Sequence, residues 1–152
     1  MIYEIKKNII NKLKADIADV TIALYYGDNI TLAKEQHRLP AIYVAENDTE
    51  IEDERNVAGR IGAKKAFNVP FQFKYLIIVC NRMQQRKNFD LNDNPIKAID
   101  DLVEQVIDSI VHFNTSYGYL KLEGISTYFD FEGLTCKAVA CRVDHYYPNG
   151  NT

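Results

Sequence analysis

The chain has 152 residues, 47% hydrophobic and 26% charged, which suits one ordinary globular domain with a core of its own and no need for disulfide or metal staples. A formal net charge of -3 argues against general affinity for duplex nucleic acid, which relies on Lys and Arg to neutralise phosphates. No apolar run reaches the ~20 residues of a membrane span, and the opening Met1-Ile-Tyr-Glu-Ile-Lys-Lys lacks the apolar core of a signal peptide, so cytosolic synthesis is expected.

Ile2, Ile5, Ile9, Leu13 and Ile17 recur at three- and four-residue spacing among lysines and asparagines, which predicts an amphipathic helix of about four turns. Val20, Ile22 and Leu24 then alternate with smaller residues as far as the turn signal Tyr25-Tyr-Gly-Asp-Asn29, giving a short strand. Ile30 to Arg38 is polar and without a clear period, and Leu39-Pro-Ala-Ile-Tyr-Val-Ala45 reads as a second strand.

The composition then changes. Glu46, Asp48, Glu50, Glu52, Asp53 and Glu54 form an acidic limb, and Arg55, Arg60, Lys64 and Lys65 form a basic one. The sparse Ile51, Val57 and Ile61 share the odd parity of the long apolar alternation that begins at Phe67, so this stretch is expected to be a hairpin arm, with a solvated loop as the alternative.

From Phe67 to Cys80 every odd position is apolar or aromatic, the period of a half-buried strand. Leu76, Ile78 and Cys80 add apolar even positions, predicting a strand that ends covered on both faces. Pro70 has no amide hydrogen and marks a sheet edge or bulge. The first half, Phe67 to Tyr75, is expected to run out of the core into the arm, and helices are expected to cover the second half, Leu76 to Cys80.

Asn81 to Asn94 is a polar loop. Asn94-Pro95 reads as an N-cap followed by proline at the first helical position. The stripe Ile96, Ile99, Leu102, Val103, Val106, Ile107, Ile110 and Val111 predicts a second helix, with Asp100, Asp101, Glu104 and Asp108 opposite and His112 at its end. Two strand-like runs, Tyr119 to Phe129 and Leu134 to Tyr147, flank the turn Asp130-Phe-Glu-Gly133. The expected architecture is α+β in the order α-β-β-β-α-β-β, a single mostly antiparallel β-sheet with two α-helices packed on one face and a long β-hairpin arm.

No catalytic constellation stands out. His37, His112 and His145 lack metal-ligand spacing, and Cys80, Cys136 and Cys141 read as small buried apolar residues in reducing conditions. Glu4-Ile-Lys6 falls on a helix rather than on a core strand beside another acid, and Gly59-Arg-Ile-Gly62 lacks the lysine of a phosphate loop. The acidic limb lacks the spacing of a calcium loop. No metal or cofactor is expected. Ten tyrosines, most of them in or beside strands, point instead to a surface that binds other proteins, so an interaction protein is expected rather than an enzyme.

The order of elements resembles the tail terminator and tail completion proteins of long-tailed bacteriophages. The resemblance lies in the opening helix, the proline-led strand Leu39-Pro-Ala-Ile-Tyr-Val44, the charged excursion, the long strand from Phe67, the acidic-faced helix from Pro95 and the closing hairpin through Asp144-His-Tyr-Tyr147. It implies a structural virion protein, made in the host cytoplasm and placed at the head-proximal end of the tail. There a homohexameric ring would sit on the last ring of tail tube protein, stop tube polymerisation and offer a surface to a head-completion or connector protein. DNA would only pass through the bore.

Such a ring needs two unlike, complementary surfaces on each subunit. The candidate contact sets Glu50, Glu52, Asp53 and Glu54 of one subunit against Arg55, Arg60, Lys64 or Lys65 of the next. Asp100, Asp101, Glu104 and Asp108 are candidates to line the bore, where negative charge would keep DNA sliding. The alternatives are another head-tail connector or neck protein, or a small enzyme or nucleic-acid-binding domain.

Overall fold

The computed structural model describes residues 1–25, 40–47, 50–51, 69–81, 95–131 and 133–147. They form an α+β unit in the order α1 (Ile2–Asp16), β1 (Thr21–Leu24), β2 (Ala41–Glu46), β3 (Glu50–Ile51), β4 (Val69–Asn81), α2 (Pro95–Ile110), β5 (Asn114–Thr115), β6 (Gly118–Ile125), β7 (Phe129–Phe131) and β8 (Leu134–Tyr147). The sheet runs β1-β2-β4-β8-β6-β5, with β3 alongside β4 and β7 alongside β8. Only β1 and β2 are parallel among the described pairs.

The centre is the antiparallel ladder of β4 and β8. It pairs Val69 with Tyr147 and continues without a register shift to Asn81 and Thr135. Thirteen residues at about 3.4 Å each make this ribbon roughly 44 Å long.

Alternation along the ladder sorts side chains onto two faces. Phe73, Tyr75, Ile77 and Val79 of β4 join Val139, Cys141 and Val143 of β8 beneath both helices, against Ile5, Ile9 and Leu13 of α1 and Ile99, Val103, Val106 and Ile110 of α2. The other face gathers Ala41, Tyr43, Ala45, Ile78, Cys80, Leu134, Cys136 and Ala138 into a second buried cluster. Both faces of the second half of β4 are therefore covered, as the apolar even positions from Leu76 predict.

The expected division of β4 needs correcting. Phe73 and Tyr75 are 3% and 1% exposed, so the helix-covered core extends into the half expected to leave it. The cause is the reach of α1, whose first turn lies over this part of the strand: the Tyr75 hydroxyl donates to the carbonyl of Ile2 at 3.5 Å. Tyr75 is thus a core residue beneath the helices, and Tyr43 is buried in the cluster on the opposite face, so neither of these two strand tyrosines belongs to a surface that binds other proteins. Pro70 stands opposite Tyr146 of β8 and has no strand on its other side among the described residues, which fits an edge.

Where one strand was expected from Tyr119 to Phe129, β6 and β7 pair successively with the same edge of β8. The register slips between Leu122 and Gly124, and Ser126 then exchanges two hydrogen bonds with Ala138: its amide donates to the carbonyl and its hydroxyl accepts from the amide, both at 2.8 Å. The hairpin into β8 falls at the expected glycine turn, with Phe131 opposite Leu134. The expected hairpin arm lies almost wholly outside the described residues, which include only its first pairing, Glu50 with Gln72 and Ile51 with Phe71.

The helices are joined laterally. The Ser109 hydroxyl donates to Asp16 at 2.7 Å, and Lys12 reaches the same carboxylate at 2.9 Å. The Ser109 hydrogen bond first, and then Lys12, hold the Asp16 carboxyl below its ordinary value. This contribution is present above the usual carboxylate range and is lost as pH falls through the lowered value.

Two backbone positions give opposite predictions. Gly118 turns β5 into β6 with φ +139°, and an added Cβ would stand 3.2 Å from the carbonyl oxygen of Asp144. Gly118→Ala should therefore destabilise the protein by about 1–3 kcal/mol. His112 closes α2 in the left-handed region, with φ 60°. Relief of its Cβ strain makes His112→Gly more stable by up to about 1 kcal/mol. Denaturant unfolding of the two variants checks both signs.

Candidate functional site

The expected surface residues separate into three groups. Glu50 lies in β3 opposite Gln72, while Glu52, Asp53, Glu54, Arg55, Arg60, Lys64 and Lys65 lie outside the described residues, as do His37 and Gly59 to Gly62. Asp101, Glu104 and Asp108 project from the exposed side of α2. Asp100 differs from these three because it is engaged within the subunit.

Asp100 accepts a hydrogen bond from the Tyr128 hydroxyl at 2.5 Å and another from Lys137 Nζ at 3.2 Å. The same ammonium stands 4.5 Å from the centre of the Tyr128 ring. Burial, and then the hydrogen bond and charge of Asp100, push the Tyr128 hydroxyl up to about 12. The cluster fastens the start of α2 to the chain between β6 and β7, and Lys137 balances the charge of Asp100.

Sequence periodicity did not single out β6. From Lys121 to Ile125 every residue is exposed, although the strand lies against the fully buried Cys141 and Val139 of β8. Leu122 and Ile125 point to the side of the sheet that carries the helices, yet they are 39% and 51% exposed, because α2 packs on β4 and β8. On its outer side β6 meets β5 only at Gly118 and Tyr119 among the described residues. The signal was present as a change of parity, with leucines at 120 and 122 followed by isoleucine at 125. A β-bulge leaves this mark, because one extra residue shifts the alternation by one.

On the opposite side of the sheet, β6 and β8 carry a charge lattice. Lys121 pairs with Asp144 at 2.7 Å and Arg142 with Glu123 at 3.3 Å, while Arg142 Nε stands 2.8 Å from Asp144 Oδ1 without the alignment of a hydrogen bond. Burial pushes the Asp144 carboxyl up, but the Lys121 hydrogen bond and the Arg142 charge outweigh it and hold the group below its ordinary value. The lattice is nearly neutral, so it contributes little net field.

The other flank of the molecule is basic. Tyr3, Lys7 and Lys14 are exposed on α1, with Lys7 Nζ 6.0 Å from the Tyr3 ring centre. Lys6, nearer the sheet, is paired with Glu46 at 2.5 Å.

The described histidine and cysteines of the sheet make contacts within the fold. His145 Nδ1 lies 3.1 Å from the Tyr117 carbonyl oxygen, with the two rings edge to face at 5.4 Å. Cys80 and Cys136 oppose one another across β4 and β8 as free thiols, their sulfurs 3.0 Å apart. That contact, then burial, pushes the Cys80 thiol upward. Burial likewise pushes Cys141 up to about 12, so it holds almost no thiolate at neutral pH. Among the described residues, no group of three or more His, Cys, Asp or Glu is placed to hold a metal ion, and no helix is long and apolar enough to cross a membrane.

The Asp100 cluster can be tested by titration. In Asp100→Ala the Tyr128 ring should titrate closer to the ordinary phenol range, because two of the three causes of its shift, the hydrogen bond and the charge of Asp100, are removed. NMR of the ring resonances against pH measures this, and an unchanged midpoint would break the assignment.

No protein-family model matches the chain and no curated protein shows significant similarity to it, so its own residues carry the functional reading.

Proposed function

We propose that this chain is the subunit of a ring that caps a finished bacteriophage tail tube, stops its polymerisation and forms part of the joint with the head. The observation that carries the reading is the partner change along β4. Tyr75 pairs with Glu46 of β2, and three residues nearer the start of β4, Gln72 pairs with Glu50 of β3. The chain after β2 therefore returns to the same edge of β4, heading toward the charged excursion. An arm extending that hairpin would hold the acidic limb, Glu50 to Glu54, close to the basic residues Arg55, Arg60, Lys64 and Lys65. One subunit could then offer both halves of a head-to-tail contact. The α+β unit behind the arm supplies a packed body, with its core on the long β4–β8 ladder.

Two measurements test this. Virions assembled without the protein should carry overlong tails. Tails of normal length without heads would instead identify a connector or neck protein, and overturn capping. In solution, the native mass should be that of a homohexamer, and Arg60→Glu with Lys64→Glu should weaken it by roughly tenfold or more, with the wild-type contact itself weakening as salt rises. Unchanged assembly of that variant would overturn the arm contact.

A further inference from the structure

The helix layer of the subunit is narrower than its sheet. α1 packs chiefly on β1 and β2, with its first turn reaching Tyr75 of β4 and its inner side meeting β5, and α2 packs on β4 and β8. Each helix thus lies mainly on two strands, about 10 Å of sheet, which is also the spacing of neighbouring packed helices. Over β6 the next lane is open, and its floor is Leu122 and Ile125.

The wall of the lane is one side of α2. Asp100 faces this side through Tyr128 and Lys137, and residues three and four apart share a helix face. Glu104, Ile107, Asp108 and Val111 therefore continue along or beside the same side. Glu104, Asp108 and Val111 are exposed, and Ile107 is partly buried. An apolar floor beside an acidic wall fits a helix that is basic and partly apolar.

The chain itself carries such a helix on its opposite flank. α1 turns Asn8, Lys12 and Asp16 toward the side of α2, where they meet Ser116, Phe113 and Ser109. Tyr3, Lys7 and Lys14, spaced by four and seven residues, face outward and are exposed. The two flanks are thus opposite in charge and face away from one another across the helix pair.

We propose that the outer side of α1 from a second copy docks in the open lane over β6, with Lys7 and Lys14 against Glu104 and Asp108 and Tyr3 on the apolar floor. The contact is heterologous, so each subunit uses one flank as donor and the other as acceptor, and the helix layer continues from copy to copy. It rests on the ring reading and gives that ring a second contact, independent of the charged arm. It also replaces the bore-lining role for Asp101, Glu104 and Asp108 with one at or beside the joint between subunits.

Charge exchange tests the docking. Lys7→Glu with Lys14→Glu, and separately Glu104→Lys with Asp108→Lys, should each weaken self-association by roughly tenfold or more, measured by sedimentation velocity. All four positions are exposed, so the fold should survive, and circular dichroism checks this. An equimolar mixture of the two variants should assemble where neither does alone, because each then supplies the flank the other lacks. Ile125→Asp should weaken wild-type assembly without charge exchange. Failure of the mixture to assemble overturns the proposal, and so does assembly of either charge variant as tight as wild type. A wild-type chain that stays monomeric up to millimolar concentration also overturns it. The tail-length measurement is separate, so the capping reading can survive loss of this contact.

Discussion

The register of β4 against β8 is the constraint on which the rest of the structure depends. Both faces of this ladder are buried along much of its length, but they differ in volume. Under the helices lie Phe73, Tyr75, Ile77, Val79, Val139 and Val143, while the other face sets the smaller Cys80, Cys136 and Ala138 between Ile78 and Leu134. A slip of one residue would exchange the two sets, pushing branched and aromatic side chains into the shallow cluster and leaving the helices over small residues. Overpacking on one face and cavities on the other would each cost on the order of several kcal/mol. The ladder is thus held by two unlike cores at once.

Everything placed on the surface depends on that fixed ribbon. On one side β2 and β1 extend the sheet beneath α1, and on the other β6 extends it beyond α2. The outer side of α1 and the outer side of α2 therefore face away from one another, and their chemistry diverges: basic and aromatic on α1, acidic and aliphatic at α2 and β6. The charge lattice of Lys121, Glu123, Arg142 and Asp144 is nearly self-neutralising and lies on the side of the sheet away from the helices. Among the described residues the helix layer carries unbalanced charge at Lys7, Lys14, Glu104 and Asp108, while Asp100 is neutralised by Lys137 and Asp16 by Lys12.

Local chemistry made the two helices and the long strands legible in the sequence. The isoleucines of α1, the proline start and apolar stripe of α2, and the alternation of β4 are all short-range signals whose period is set by backbone geometry. What escaped was relational. The parallel pairing of β1 with β2 is a choice of partner, which no period records. Nor does alternation say how far a helix will reach, so it cannot place Phe73 and Tyr75 under α1. The exposed side of β6 is hidden in the sequence because Leu120, Leu122 and Ile125 look like core positions; Leu120 alone is buried, at 4% exposure, and the helix that would cover the other two is absent from this edge among the described residues. The charged excursion, plain in composition, lies almost entirely outside the described residues.

The shallow cluster has a consequence for descent. Ala41, Ala45, Cys80, Cys136 and Ala138 leave little room on that face, and the thiols of Cys80 and Cys136 are already in contact. Substitutions at these small positions are constrained by size and by polarity together, so alanine and cysteine can replace one another at modest cost while valine or leucine cannot. Beneath the helices, exchanges among isoleucine, valine and leucine are similarly cheap. Relatives of this chain would then keep a profile of side-chain volumes along two strands while losing letter-by-letter identity. Its ancestry is better sought in that alternation of large and small than in any motif.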